Sequence, residues 1–350
     1  MSLIWNNRIS VSYFGEPSSS AIGVTIDSLP AGEYIDAEEL VLALARRSPK
    51  SCPNPTAAKG SPRIISGISG ERTTGETLCA FLPNKPVQKP EQEQSGSLSG
   101  KALPGHADYT GAVRYKGFND VKQLYDTAGL VCTPLCFAGA VCSQILARRG
   151  IHTVAHILQI HNTKDNPFDC VALSRDAVLS IRKKDFPVIN DRRGWLMLED
   201  IAQAEEAGES LGGIIECASV NVPAGVGSPV SSGLANSIAQ LVFGIPGVVG
   251  LEFGAGFSAA GMVGHQCSDE FYVDEHGRVL TRTNNHGGTL GGISTGMPIT
   301  LNVAVRPSAA RDDAGGQPYR ACSVPGIVPA VEAAVSIALL THMLDYPNFC

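Results

Sequence analysis

Thr133-Pro134-Leu135-Cys136-Phe137-Ala138-Gly139-Ala140-Val141-Cys142-Ser143-Gln144-Ile145-Leu146-Ala147-Arg148-Arg149-Gly150 runs directly into Ile151-His152-Thr153-Val154-Ala155-His156-Ile157-Leu158-Gln159-Ile160-His161. The first stretch is an apolar run that ends on two arginines and a glycine. Gly150 suits the position just past a helix, and Arg148 and Arg149 suit its last carbonyls. The reading is a helix over 133–149 followed by a strand over 151–161. Working outward, residues 323–345 form a second long apolar helix, and 168–183, 198–208 and 232–244 read as further helices. Residues 8–30 read as two strands, Ile64–Gly67 and Leu78–Leu82 as a strand pair, and Leu211–Cys217 as the start of another strand. Asp36 is an N-cap with Glu38 and Glu39 in the first turn, so a helix runs from there to about Arg47, before Pro49. No GxGxxG opens a helix after a strand. The fold class predicted is α/β in the α+β sense: a β-α-β sandwich with antiparallel sheets packed on central helices, one domain over 1–350.

Composition narrows the functional classes. Of 350 residues 43% are apolar and 17% charged, which excludes a disordered chain. The net charge of −6 gives no basic field for nucleic acid, although a local basic pocket for a small anion is compatible with it. No run of 18 or more apolar residues predicts a membrane span. The N-terminus lacks the pattern of a secretory signal, so the 10 cysteines read as reduced cytoplasmic thiols. Cys132, Cys136 and Cys142 lack paired CxxC spacing, and His152 and His156 share a strand face with no carboxylate or thiol to join them. No metal site is expected. Residues 83–102, rich in Lys, Pro, Glu, Gln and Ser, read as a mobile loop.

Three groups could carry chemistry. Asn284 through Gly296 holds two Gly-Gly pairs and exposes backbone N–H groups that could receive a phosphate or a flat ring; a structural turn is equally open. Arg306 and Pro307 follow at a strand end. Pro104-Gly105-His106-Ala107-Asp108-Tyr109 sets an imidazole beside a carboxylate, either an acid for catalysis or a surface histidine. Arg46-Arg47, at a helix end, could bind an anion or simply cap the helix.

Taken in order, Phe14-Gly15-Glu16, Ala21-Ile22-Gly23, Leu29–Gly32, Arg46–Pro49, Ile65–Gly67, Thr73–Gly75, Pro104–Thr110, Thr133–Gly139, Leu211–Gly213, Val222–Gly227 and Asn285–Pro298 resemble the chorismate synthase family over essentially the whole chain. The resemblance implies a β-α-β sandwich, usually a homotetramer. It also implies a lyase that eliminates phosphate 1,4 from 5-enolpyruvylshikimate 3-phosphate, an anionic small molecule, to give chorismate. Reduced FMN is the implied cofactor, with NADPH as a reductant. Carried onto this chain, His106 and Asp108 fall at catalytic positions, Arg47, Gly291, Gly292, Arg306 and Pro307 at flavin positions, and Arg46 and Arg47 at substrate positions. Several charged family positions are replaced: Ser18 stands for a histidine, Leu130 for an arginine and Thr341 for a late helical aspartate. Arg63, Arg72 and Arg320 are the nearby cations that could compensate. A relative that keeps the fold without the chemistry is the alternative.

Overall fold

The computed structural model describes residues 3–15, 19–52, 61–84, 105, 107–116, 127–308 and 321–346. In chain order these supply β1 (Leu3–Asn6), β2 (Ser10–Phe14), β3 (Ala21–Asp27), α1 (Ala37–Ala45), β4 (Arg63–Ser66), β5 (Ile68–Ser69), β6 (Arg72–Thr73), β7 (Leu78–Pro83) and α2 (Asp108–Tyr115). There follow α3 (Thr127–Ala147), β8 (His152–Ile160), β9 (Thr163–Lys164), α4 (Arg175–Arg182), α5 (Asp191–Ala207), β10 (Gly213–Val220), α6 (Leu234–Phe243) and β11 (Val248–Phe253). The last group is α7 (Gly264–Cys267), β12 (Phe271–Val273), β13 (Val279–Thr281), β14 (Thr289–Leu290), β15 (Ile293–Ser294), β16 (Ile299–Val305) and α8 (Val324–Met343).

Two five-stranded sheets result. The first has order β1-β2-β3-β7-β4 and the second β11-β16-β10-β8-β9. Every pairing in both is antiparallel. Helices α3 and α8 lie between them and pack on each other, α3 also against β2 and β3 and α8 against β8 and β10. The predicted sandwich is therefore present. Its main core joins Val11, Val24 and Leu78 of one sheet to Phe137, Val335, Ile157, Cys217 and Leu301. A smaller core of Val154, Ala218 and Val220 with Phe168, Val178 and Ile181 covers the other face of sheet two, under α4.

Small residues allow the central helices to touch. A Cβ on Gly139 would fall 2.2 Å from the Cα of Ala333, so only glycine fits that crossing. Both helices contain a proline, Pro134 and Pro329. α3 begins at Thr127, earlier than the sequence reading, so Pro134 is interior to it. α1 starts as read: the Asp36 side chain accepts from the N–H groups of Glu38 and Glu39. The helix expected over 168–183 is confined to α4, because Asp169 takes the N–H groups of Val171 and Ala172 in a turn and Ser174 caps the helix. α5 is longer than expected, beginning after the Asn190 cap and ending at Gly208, whose φ is 69°.

By length and composition α8 alone among the described helices is long and apolar enough to cross a membrane, but 94% of its 18-residue apolar window is buried inside the protein. It is a core helix here. The loop expected over 83–102 falls almost wholly outside the described residues.

The running direction of α3 and α8 fixes the geography of the site. Leu211 N–H donates to Ala321 just before α8, and Gly213 of β10 abuts Val324. At its far end Tyr346 Oη donates to Ala224, just beyond β10. α8 therefore runs from the start of β10 to its end. α3 leads through Gly150 into β8, whose first residue His152 pairs with Val220 at that same end. The two central helices thus run parallel.

Candidate functional site

The end of the sandwich at the start of α8 brings together Arg306, Pro307 and Gly105. Arg306 follows β16, opposite Gly213. Its backbone N–H donates to Gly247, 2.9 Å away, and its Nη1 donates to the carbonyl of Gly105, at 3.1 Å. That carbonyl belongs to the residue before His106, which itself lies outside the described residues. Asp108 is the first residue of α2. Pro307 packs where a Cβ on Gly212 would fall 2.9 Å from its Cδ. The structure therefore brings the Arg306–Pro307 strand end to the loop that carries His106.

Arg46 and Arg47 enter from the end of α1. Arg46 is the C-cap residue, and its guanidinium grips Glu332 with both terminal nitrogens, Nη2 to Oε1 at 2.9 Å. The same Oε1 accepts the Ala155 N–H of β8, also at 2.9 Å. Arg46 beside it holds the Glu332 carboxyl below the usual carboxylate range, against a burial that would raise it, and Arg182 adds to the effect. The fork of Arg46, expected at a substrate position, is taken up by Glu332 in this structure. Arg47 Nη1 instead donates to Thr133 of α3, and its Nε is buried without a protein partner. That orphaned donor asks for an acceptor. A narrow cleft beside the Arg46–Glu332 pair is lined by Ser143 and Arg182 together with small apolar residues of α3 and α8 such as Ala140 and Ala333.

Gly291 and Gly292 lie elsewhere. They form the two-residue loop of the β14–β15 hairpin, with φ of 60° and 85°, the left-handed pair that a type I′ turn requires. Gly292 is pressed on Ser228 and Gly233, and its carbonyl accepts the Leu234 N–H that opens α6. A Cβ on Gly291 would meet nothing within 4 Å. This corner sits at the end of α8, where Ala224 lies near Gly296 and accepts from Tyr346. α8 has 20 residues and so spans about 30 Å. One protomer therefore holds Arg306 and Gly291 at opposite ends. Thr341 is also at the far end, buried, with its hydroxyl donating to Ile337 of its own helix.

Tested against the residues present, the buried unpartnered Nε of Arg47 and the guanidinium of Arg306 are separate donors that suit the phosphate of an anionic cofactor such as FMN. The glycine pair does not join them within one chain. Among the other cations, Arg72 Nη1 donates to the Gly32 carbonyl, and Arg320 and Ser18 lie outside the described residues.

The expectation that no carboxylate meets the strand histidines is overturned. His156 is fully buried, with Nε2 2.7 Å from Glu216 Oε2 and Nδ1 3.3 Å from Asp165 Oδ2. Burial alone would depress its pKa, but the two carboxylates raise it above the ordinary imidazole value. The described cysteines are free thiols, and no cluster among the described residues is arranged to hold a metal ion.

The fold is thus a two-sheet antiparallel sandwich around parallel buried helices, with Arg306 and Pro307 at one end. The comparisons narrow this further. A family model described as chorismate synthase matches residues 9–315. The chain is 32% identical to the chorismate synthase of Thermococcus kodakarensis, over 96% of each chain, and 34% identical to that of Lancefieldella parvula, over 99% of this chain and 98% of the other. A crystal structure of chorismate synthase superposes with a TM-score of 0.79 at 25% identity, covering 98% of this chain and 94% of that one. This chain belongs to the chorismate synthase family.

Proposed function

We propose that the chain is a chorismate synthase, a lyase that eliminates phosphate 1,4 from 5-enolpyruvylshikimate 3-phosphate, with reduced FMN as cofactor and no net redox change. The observation that carries the reading is the near-complete match to relatives of that name, 96% to 99% of this chain, on the same sandwich. Two cations supply the matching chemistry. Arg47 and Arg306 donate to anionic oxygens of substrate or flavin phosphate, charge-assisted contacts worth about 1.5–3 kcal/mol each. Pro307 and Gly247 shape the wall beside them. His106, in the loop held by Arg306, delivers a proton, and Asp108 lies two residues further on. Bound reduced flavin supplies electron density to the substrate as phosphate leaves. NADPH as the source of reduction rests on the family resemblance alone.

The separation of Gly291 and Gly292 from Arg306 favours the homotetramer. If both contact one flavin, the glycine hairpin must come from a partner copy, since about 30 Å separates the two ends of one chain. The exposed Leu290 and Val230 near that hairpin suit burial by a partner.

Phosphate release from the substrate under anaerobic conditions with reduced FMN tests the proposal. Wild type should release phosphate, and His106→Ala should be slower by about 10²–10⁴-fold, the usual contribution of a general acid. Equal rates would remove His106 from the mechanism. The second reading, a relative that keeps the fold without the activity, draws support from Thr341, whose hydroxyl is spent on its own helix. FMN binding without any phosphate release would favour that reading.

A further inference from the structure

We propose that Glu332 is a positioning residue: through Arg46 it fixes the end of α1 and thereby sets where the Arg47 guanidinium points. The inference rests on the reading that Arg47 holds an anion. Glu332 is the sole acidic residue in the 20 residues of α8, and it sits in the interior of the sandwich. A carboxylate there persists only with partners. Its partners come from two other elements, the Arg46 fork of α1 and the Ala155 N–H of β8. It therefore ties α1 to the central helix and to sheet two at one point.

Stability does not account for this arrangement. A buried ion pair replaced by apolar residues of similar volume is often neutral or more stable. What the pair does supply is direction. Arg46 is the last helical turn's cap, Arg47 is its immediate neighbour, and beyond them Ser48 and Pro49 leave the helix. Two parallel bonds to Glu332 fix Arg46 in position and rotation. Arg47 must then leave on the side that meets Thr133, with its Nε facing inward and unpaired.

The double variant Arg46→Met/Glu332→Met separates positioning from folding. It should melt within a few degrees of wild type. Its affinity for FMN, read by flavin fluorescence, should fall about tenfold or more, toward that of Arg47→Met. Glu332→Gln keeps the shape and the acceptor for Ala155, and should lose less. A double variant that binds FMN as tightly as wild type overturns the proposal, as does a Glu332→Gln variant of unchanged affinity should the double variant fail to fold. A crystal structure of the double variant gives a readout that needs no flavin: Arg47 should leave Thr133, and retention of that contact overturns the positioning role. If wild type itself fails to bind FMN while Arg47 moves in the variant, the flavin reading fails and the positioning role stands.

Discussion

Sheet two carries a buried charge cluster on each face, and the two are built on different chemistry. Toward the central helices, Glu332 meets Arg46, a cation that never titrates in the working range. On the other face, His156 sits between Asp165 and Glu216, a cation that exists only while protonated. The anions of the second cluster also collect backbone donors: Glu216 takes the Phe168 N–H, and Asp165 takes those of Ile189 and Asn190. The outer cluster thus fastens the excursion between β8 and α5, whereas the inner one ties the end of α1 to α8 and to β8. Permanence of charge follows the task, since a site for anions needs a cation that stays charged, and a fastening can tolerate one that does not.

The largest break in this comparison should come from Glu332→Ala. It strands the Arg46 guanidinium in the interior, and removing one partner of a buried pair costs about 3–5 kcal/mol. Urea unfolding should show a loss in that range; a change below about 1 kcal/mol would contradict the inner cluster's role. His156→Leu should cost less, about 1.5–3 kcal/mol, the scale of hydrogen bonds to charged groups. Its two carboxylates keep their backbone donors and can share a proton. An equal or larger loss than for Glu332→Ala would reverse the ranking.

The pH dependence sharpens the contrast. The folded pKa of His156 is raised above 6.5, so its contribution is complete below that value and fades as pH climbs through the raised one. The folded pKa of Glu332 is lowered below 4.5, so its contribution is complete above 4.5 and fades only on acidification. Melting temperatures across this range should show an alkaline decline that is absent from His156→Gln and kept by the Arg46→Met/Glu332→Met pair. The smallest expected effect is that of Thr133→Val, which removes one acceptor from Arg47 and should cost about 0.5–1.5 kcal/mol.

Much of the framework is legible in the sequence because its causes are local. Asp36 announces α1 through its own side chain, and Gly150 ends the central helix at 78°. Alternation sets β2 and β3, which the structure pairs antiparallel. Where partners are remote the reading fails. The carboxylate that occupies Arg46 lies 286 positions away, and Glu216 lies 60 from His156. No local pattern encodes either meeting. The Gly291-Gly292 turn is readable as a turn, but the end of the molecule it occupies depends on the path of β10 and α8. Helix 168–183 looked continuous because periodicity cannot register Asp169 diverting two backbone donors.

The shared direction of α3 and α8 has an electrical consequence. Aligned peptide groups leave about half an elementary positive charge at the first turn of each helix. Side by side these fields reinforce one another, giving roughly one unit toward the end of the sandwich where the two helices begin. In a molecule of net charge −6 this is a local positive potential set against the overall field, and added salt should screen it before weakening any single contact.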